Sequence, residues 1–138
     1  MQNSHRQPLF LLGLLFLALF WSVDASTAKS RAELESRAKA GDREAMFDHA
    51  NCLNDPICAG YTQRDVDGAI YWYKKASEKG QIDAYLMLGM FLCSEPGYIN
   101  VEKGIKYLDK AIASGLGTMA KPLRDNCGKK GNQGAPPD

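Results

Sequence analysis

Apolar and polar positions divide the chain into segments of helical periodicity separated by short polar breaks. Within each segment the apolar residues return every three or four positions, which is the pattern of an amphipathic helix. Capping residues such as Ser30, Asp65 and Asn100 stand at several of the breaks. The pattern predicts helices at about 30–41, 42–53, 66–79, 82–93, 100–115 and 118–126. No segment indicates a strand, so the expected fold class is all-α.

Two of the predicted helices are copies of one pattern. Six positions between Asp65 and Gly80 recur 35 residues later, between Asn100 and Gly115. The matched pairs are Asp65/Asn100, Ala69/Gly104, Trp72/Tyr107, Lys75/Lys110, Ala76/Ala111 and Gly80/Gly115. A repeat of this length is typical of stacked helical units, each of which needs a neighbour to bury its apolar side. Such an architecture favours binding over catalysis.

These residues resemble the SEL-one-like repeat, a relative of the tetratricopeptide repeat. The resemblance covers about residues 36–127 and rests on Gly41, Ala45, Ala50, Leu53, Asp65, Ala69, Trp72, Lys75, Ala76, Gly80, Ala84, Leu88, Gly89 and Leu92. The chain departs from the family pattern at His49 (leucine in the family), Gly104 (alanine) and Tyr107 (tryptophan). The resemblance implies antiparallel helix pairs stacked into a short right-handed superhelix that binds proteins.

The first 25 residues have the pattern of a secretory signal peptide. An acid-free start precedes the apolar run Leu9–Trp21, and the small residues Val23 and Ala25 precede the expected cleavage point. This 13-residue run is shorter than the roughly 17 to 25 residues of a membrane-spanning helix. We therefore expect a periplasmic protein that is cleaved after Ala25 and has no stable membrane insertion. Its repeat domain would span 26–127, and 128–138 would form a disordered tail.

The charge of the chain indicates no polyanionic partner. The formal net charge is +1, and it stays +1 without the signal peptide because one base and one acid are lost together. Acids and bases are mixed from Arg31 to Asp125. A nucleic-acid binder normally gathers its bases on one face. We therefore expect neither nucleic acid nor anionic lipid as the target.

Four cysteines in a small exported protein predict two disulfides, because the compartment beyond the inner membrane is oxidising. Three pairings are possible. Cys52 and Cys58 flank a proline-containing turn, whereas Cys93 and Cys127 end equivalent helices, so pairing within these two couples is favoured. The spacing of Cys52 and Cys58 is too wide for a usual zinc knuckle, and we expect neither metal nor cofactor.

The pattern offers little support for catalysis, and we expect a protein that is not an enzyme. His49 is the only histidine beyond the signal peptide, and its leucine-equivalent position predicts a packed, hydrogen-bonded core residue. Asp65 and Asp67 begin like a calcium loop, but no glutamate stands at the twelfth position that the loop needs. Trp72 has helical spacing to small core positions, which favours packing over binding. The possibility of a carboxylate pair for sugar hydrolysis stays open, because the sequence does not give the distance between two carboxyl groups.

A candidate binding surface lies on the predicted helix 82–93, which is apolar almost all the way round. Steps of 100° per residue place Leu86, Met87 and Met90 opposite the core positions. With Phe47 of the preceding repeat they form a predicted apolar strip, in which methionine suits an adaptable contact. Its predicted polar rim consists of Glu44, Asp48, Asn51 and Asp83. The alternative is that the terminal helices fold over this strip.

Two classes of function follow from these expectations. The first is an immunity protein that binds a toxic enzyme in the periplasm; small exported proteins of the resembled family are associated with type VI secretion and neutralise phospholipase toxins. The second is an envelope adaptor or scaffold for a secretion or cell-wall assembly. In either case we expect a monomer that uses the apolar strip to bind a protein partner.

Overall fold

The computed structural model describes residues 30–56, 58 and 60–129. These residues form six α-helices: α1 (Arg31–Lys39), α2 (Arg43–Asn54), α3 (Val66–Glu78), α4 (Ile82–Ser94), α5 (Val101–Ala111) and α6 (Gly117–Asp125). These described residues contain no strand, and the expected all-α class is confirmed. The predicted signal peptide lies outside the described residues. Gly128 and Lys129 belong to a turn after α6, and the rest of the predicted tail lies outside as well.

Side chains at the breaks fix where the first five helices begin. Each residue before the first turn accepts a hydrogen bond from a backbone N–H group that the helix itself leaves unpaired. The caps are Ser30, Asp42, Asp65, Gln81 and Asn100. The caps predicted at Ser30, Asp65 and Asn100 are confirmed.

Glycines end two of the helical segments at the repeated position. Gly80 after α3 has φ 80°, and Gly115 has φ 101°, a conformation that costs other residues more than glycine. The segment Ile112–Leu116 joins α5 to α6, and its helical geometry breaks at Gly115, where the sequence predicted that the helix ends. A left-handed glycine commonly ends a helix in this way.

Consecutive helices pack against one another from α1 to α6, and α4 also contacts α6. The main cluster contains Leu34, Ala50, Cys52, Leu53, Tyr61, Ala69, Tyr73, Leu88 and Phe91. A second cluster, rich in alanine, comprises Ala38, Ala45, Met46, Ala76 and Ala84. The C-terminal cluster comprises Cys93, Leu108, Ala111 and Ala120. Trp72 packs against the first two clusters, in agreement with the predicted structural role.

Two glycines allow α4 and α5 to approach closely. A Cβ atom at Gly89 would lie 2.5 Å from Cγ of Leu108, and one at Gly104 would lie 2.6 Å from Sγ of Cys93. Real Cβ atoms do not come so close to other atoms, because interiors are already close-packed. This contact explains why Gly104 departs from the alanine of the resembled repeat.

The predicted cysteine pairing is confirmed. Cys52 and Cys58 are bonded across the loop after α2, with their Cα atoms 5.4 Å apart. Cys93 and Cys127 are bonded with Cα atoms 4.7 Å apart, and they tie the end of α4 to the turn after α6. The second bond therefore fixes the C-terminal helix to the middle of the domain.

Candidate functional site

The four residues of the predicted apolar strip occupy different environments. Phe47 and Met87 are half-buried and pack against the main cluster. Leu86 is also half-buried, but it packs against the C-terminal cluster, to which α6 contributes Ala120. Met90 is 36% exposed. The fold thus leaves Met90 as the most accessible of the four, and binding by the other three stays a prediction.

Two residues of the predicted polar rim take part in hydrogen bonds within the domain. Oε2 of Glu44 accepts a hydrogen bond from the buried Gln81 side chain at 3.0 Å. Oδ1 of Asn51 accepts one from the Tyr73 hydroxyl at 2.7 Å, and burial raises the pKa of Tyr73 far above its ordinary value. These bonds link α2 to α4 and to α3. Of the remaining rim residues, Asp83 is exposed and Asp48 is half-buried, and contact with a partner stays a prediction for all four.

An apolar groove of about 290 Å³ lies beside Met90, between α4 and α6. We name it the Met90 groove, and its lining residues are Met90, Cys93, Ser94, Pro122, Leu123 and Asn126. Its volume is at the lower limit for ligand pockets, so it suits one anchoring side chain better than a large cofactor. Met119, which is 53% exposed, stands three residues before Pro122 and extends the apolar surface along the same face of α6.

A disulfide holds the two walls of the Met90 groove together, and an exposed ion pair links α6 to α5. The disulfide of Cys93, a lining residue, joins the α4 wall to the end of the α6 wall. Nε of Arg124 on α6 lies 2.7 Å from Oδ1 of Asp109 on α5. A surface held in this way loses little conformational entropy when it binds. The groove is therefore a preorganised contact surface.

The part of this groove that α6 contributes was not predicted from the sequence. Met119, Pro122 and Leu123 have the helical spacing of a common face, and this signal was present in the sequence. The direct packing of α4 beside α6 was not deducible from either helix alone. The candidate surface thus moves from a strip on α2 and α4 to a groove between α4 and α6.

His49 is a packed, hydrogen-bonded core residue, as the sequence predicted. It is 3% exposed, and its Nδ1 shares a short hydrogen bond with the Tyr61 hydroxyl. The ring of Trp72 stands edge-on to the imidazole with centroids 5.3 Å apart. Burial lowers the pKa of His49; the negative charge of Glu35 opposes this shift, and the positive charge of Arg31 adds to it. His49 is therefore held neutral in the folded protein at neutral pH.

The two carboxylates that resemble the start of a calcium loop accept hydrogen bonds within the domain. Asp65 caps α3 by accepting the N–H of Gly68 at 2.8 Å, and Asp67 accepts a hydrogen bond from the Tyr98 hydroxyl at 2.8 Å. Among the residues that the structure describes, no group of three histidine, cysteine, aspartate or glutamate side chains is placed to hold a metal ion. Nor does that part of the chain contain a helix long and apolar enough to cross a membrane.

Comparison with protein-family models, with curated proteins and with solved structures gives no match for this chain. The SEL-one-like resemblance therefore rests on the residues quoted for it, and the function has to be argued from the fold and its surfaces.

Proposed function

We propose that this chain is an exported protein-binding repeat module that acts as an immunity protein, binding and inhibiting a toxic antibacterial enzyme in the periplasm. The observation that carries the proposal is the Met90 groove, an exposed apolar surface on a covalently fixed scaffold. Preorganised apolar surfaces with room for an anchoring side chain are typical of protein recognition. The protein would act by covering the enzyme rather than by chemistry of its own.

Recurring backbone contacts support a stack of helix pairs in which α2 and α3 form one unit and α4 and α5 the next. The N–H of Asp65 donates to the carbonyl of Leu53 at 2.8 Å, and the N–H of Asn100 donates to the carbonyl of Leu92 at 2.7 Å. In both units, then, the cap of the second helix is hydrogen-bonded to the end of the first. In such a stack α6 would be the first helix of a third unit, and α4 and α6 would stand side by side on the concave surface.

The composition of the groove suits an enzyme partner whose surface presents one large apolar anchor. Met90 in the groove is flexible and polarizable, so it can adapt to the shape of that anchor, and Met119 on the same face of α6 is a methionine as well. Ser94 and Asn126 donate hydrogen bonds to the carbonyls of Met90 and Pro122, both at 2.8 Å, so each already has a partner within its own helix region. An apolar anchor entering the groove therefore leaves few polar groups unpaired.

Two disulfides fit an oxidising compartment, which agrees with the predicted export to the periplasm. The toxin class that we propose, a type VI secretion phospholipase, comes from the resemblance alone. We also propose that the module is a monomer before it meets its partner.

Substitution of Met90 tests the proposal. In Met90→Asp, a charge enters the centre of the groove, and we expect a loss of about 2 kcal/mol or more in binding free energy. The matched control is Ile82→Asp on the same helix, because Ile82 is 41% exposed and does not line the groove. The partner is first captured from periplasm with residues 26–138 and identified by mass spectrometry. Affinity for the purified partner is then measured by calorimetry.

Protection of cells that carry the toxin in their periplasm gives the second measurement. We expect Met90→Asp to abolish protection at an unchanged level of exported protein, and Ile82→Asp to retain it. Equal affinity of the two variants for the partner would contradict the role of the groove. Capture of a structural component of a secretion or cell-wall assembly, with no toxin, would instead favour the envelope adaptor.

A further inference from the structure

Three lysines share one face of α5. Lys103, Lys106 and Lys110 follow one another at intervals of three and four residues, so their side chains leave the helix on the same side. All three are exposed. The first and the last are about 10 Å apart along the helix axis, given a rise of about 1.5 Å per residue. The face therefore carries a short row of positive charge.

Two stacked tyrosine rings lie beside this row. The ring centroids of Tyr85 on α4 and Tyr107 on α5 are 6.5 Å apart, and the ring planes differ by 26°. Nζ of Lys110 lies 5.5 Å from the first centroid and 5.7 Å from the second, which is cation–π distance for both. The Tyr85 hydroxyl donates to the carbonyl of Ser77 at 3.0 Å, and this bond restrains the ring.

The lysines and Tyr107 line a cleft of about 480 Å³, which we name the lysine–tyrosine cleft; its lining residues are Lys103, Lys106, Tyr107, Asp109 and Lys110. It shares no lining residue with the Met90 groove. Inferences about the cleft therefore do not depend on the immunity proposal.

The carboxylates on this face are already paired. Glu102 lies 2.7 Å from Nζ of Lys106, whose ammonium group holds the pKa of Glu102 below its usual value, and Asp109 pairs with Arg124 of α6. With the residues that the structure describes, Lys103 and Lys110 form no ion pair. Neither ammonium group is therefore held by a carboxylate of the described residues at ion-pair distance, although the charge of Lys103 also helps to lower the pKa of Glu102.

We infer that the lysine–tyrosine cleft is a docking site for a short acidic segment of a protein partner. The distance from Lys103 to Lys110 along α5 matches about three to four residues of extended chain, at about 3.3 Å per residue. Charge complementarity would place acidic side chains on the lysines, while the Tyr107 ring, which lines the cleft, offers a contact for an apolar or proline side chain between them.

A peptide fits this site better than a nucleic acid does. The net charge of +1 gives the whole molecule little attraction for a long polyanion. In addition, the row holds three lysines, of which Lys106 is already paired with Glu102, so it offers few contacts to a strand with a phosphate at every step. A short segment with two or three acidic residues matches this small number of charges.

The test measures binding of fluorescein-labelled hexaglutamate by fluorescence anisotropy at low salt. The variants are Lys103→Glu and Lys110→Glu, and the matched control is Lys74→Glu, an exposed lysine on α3 with the same change of charge. We expect each cleft variant to weaken binding by about three- to ten-fold, in the range of exposed charge pairs, and the control to change it little. Circular dichroism of each variant checks the fold, and reversal of the exposed Lys103 is expected to leave it intact.

Three outcomes would overturn the inference. The first is a loss of binding in Lys74→Glu as large as in the cleft variants, which would mean that only the overall charge matters. The second is tighter binding of a labelled oligonucleotide, or of anionic phospholipid vesicles, than of hexaglutamate. The third is that the parent protein shows no detectable binding of hexaglutamate, or that the folded Lys103→Glu variant binds it as tightly as the parent does.

Discussion

At the scale of single residues, small side chains decide how closely the helices pack. Gly104 is the clearest case, because its missing Cβ leaves room for the sulfur of Cys93 and for the backbone of Leu92, whose carbonyl carbon would lie 3.3 Å away. The same residue breaks the alanine pattern of the resembled repeat. A departure from a family pattern therefore has a local steric cause here.

We predict that Gly104→Ala destabilises the domain by about 1 to 3 kcal/mol, the usual cost of overpacking. The matched control is Gly117→Ala in α6, where a Cβ would have contacts no closer than 3.8 Å. Alanine there is expected to be neutral or slightly stabilising, because it is the better helix former. Urea unfolding of both variants measures the difference, and equal stabilities would show that α4 and α5 can separate at no cost.

At the scale of elements, α6 depends on a covalent tie. It is the last helix of the described chain, and it packs against α5 and α4 without a side-chain cap at its start. The bond between Cys93 and Cys127 connects its end to α4. The α6 wall of the Met90 groove should therefore loosen when this bond is absent.

We predict a larger effect from removing this disulfide than from removing the other one. The bond between Cys93 and Cys127 spans 34 residues and that between Cys52 and Cys58 spans 6. In the chain-entropy description these separations correspond to about 4 and about 2 kcal/mol of stability. Paired cysteine-to-alanine variants would be compared by thermal unfolding and by hydrogen exchange. In the variant without the bond between Cys93 and Cys127, the faster hydrogen exchange should concentrate in α6. If α6 exchanges equally fast in both variants, this bond does not hold α6 in place.

At the scale of the whole molecule, the buried imidazole makes stability depend on pH. Since burial lowers the pKa of His49 below its ordinary 6.5, the unfolded chain takes up a proton before the folded one does. Stability is therefore greatest above about pH 6.5 and falls as the pH drops from there toward the lowered pKa of the folded state. Paired carboxylates such as Glu35 and Glu95, with pKa values held below 4.5, contribute losses only at more acidic pH.

We predict that His49→Gln flattens the stability profile between about pH 6.5 and 5, because glutamine can still bond to Tyr61 but does not titrate in this range. The measurement is the urea midpoint as a function of pH for both proteins. The comparison concerns slopes, so a uniform loss of stability in the variant does not affect it. If parent and variant lose stability in parallel across this range, another group is responsible.

The sequence by itself determined the features that depend on neighbouring residues. Helix ends belong to this group, with caps such as Asp65 and Asn100 and the left-handed Gly80. They act through hydrogen bonds within one turn, so the sequence alone predicts their effect. The sequence also favoured the observed cysteine pairing among three possible ones, since Cys93 and Cys127 were expected at equivalent helix ends. The buried role of His49 followed from its position in the repeat.

The tertiary structure alone decided which apolar faces are covered. Leu86 and Met90 lie on one face of α4, yet Leu86 packs against the C-terminal cluster and Met90 stays accessible beside α6. Likewise, Tyr85 and Tyr107 form one platform only because glycines let α4 and α5 approach. The periodicity of one helix reports which side is apolar, but burial depends on the distance and angle at which another helix crosses it. Those quantities are set by side chains from distant parts of the chain, so both candidate surfaces became visible only in the folded molecule.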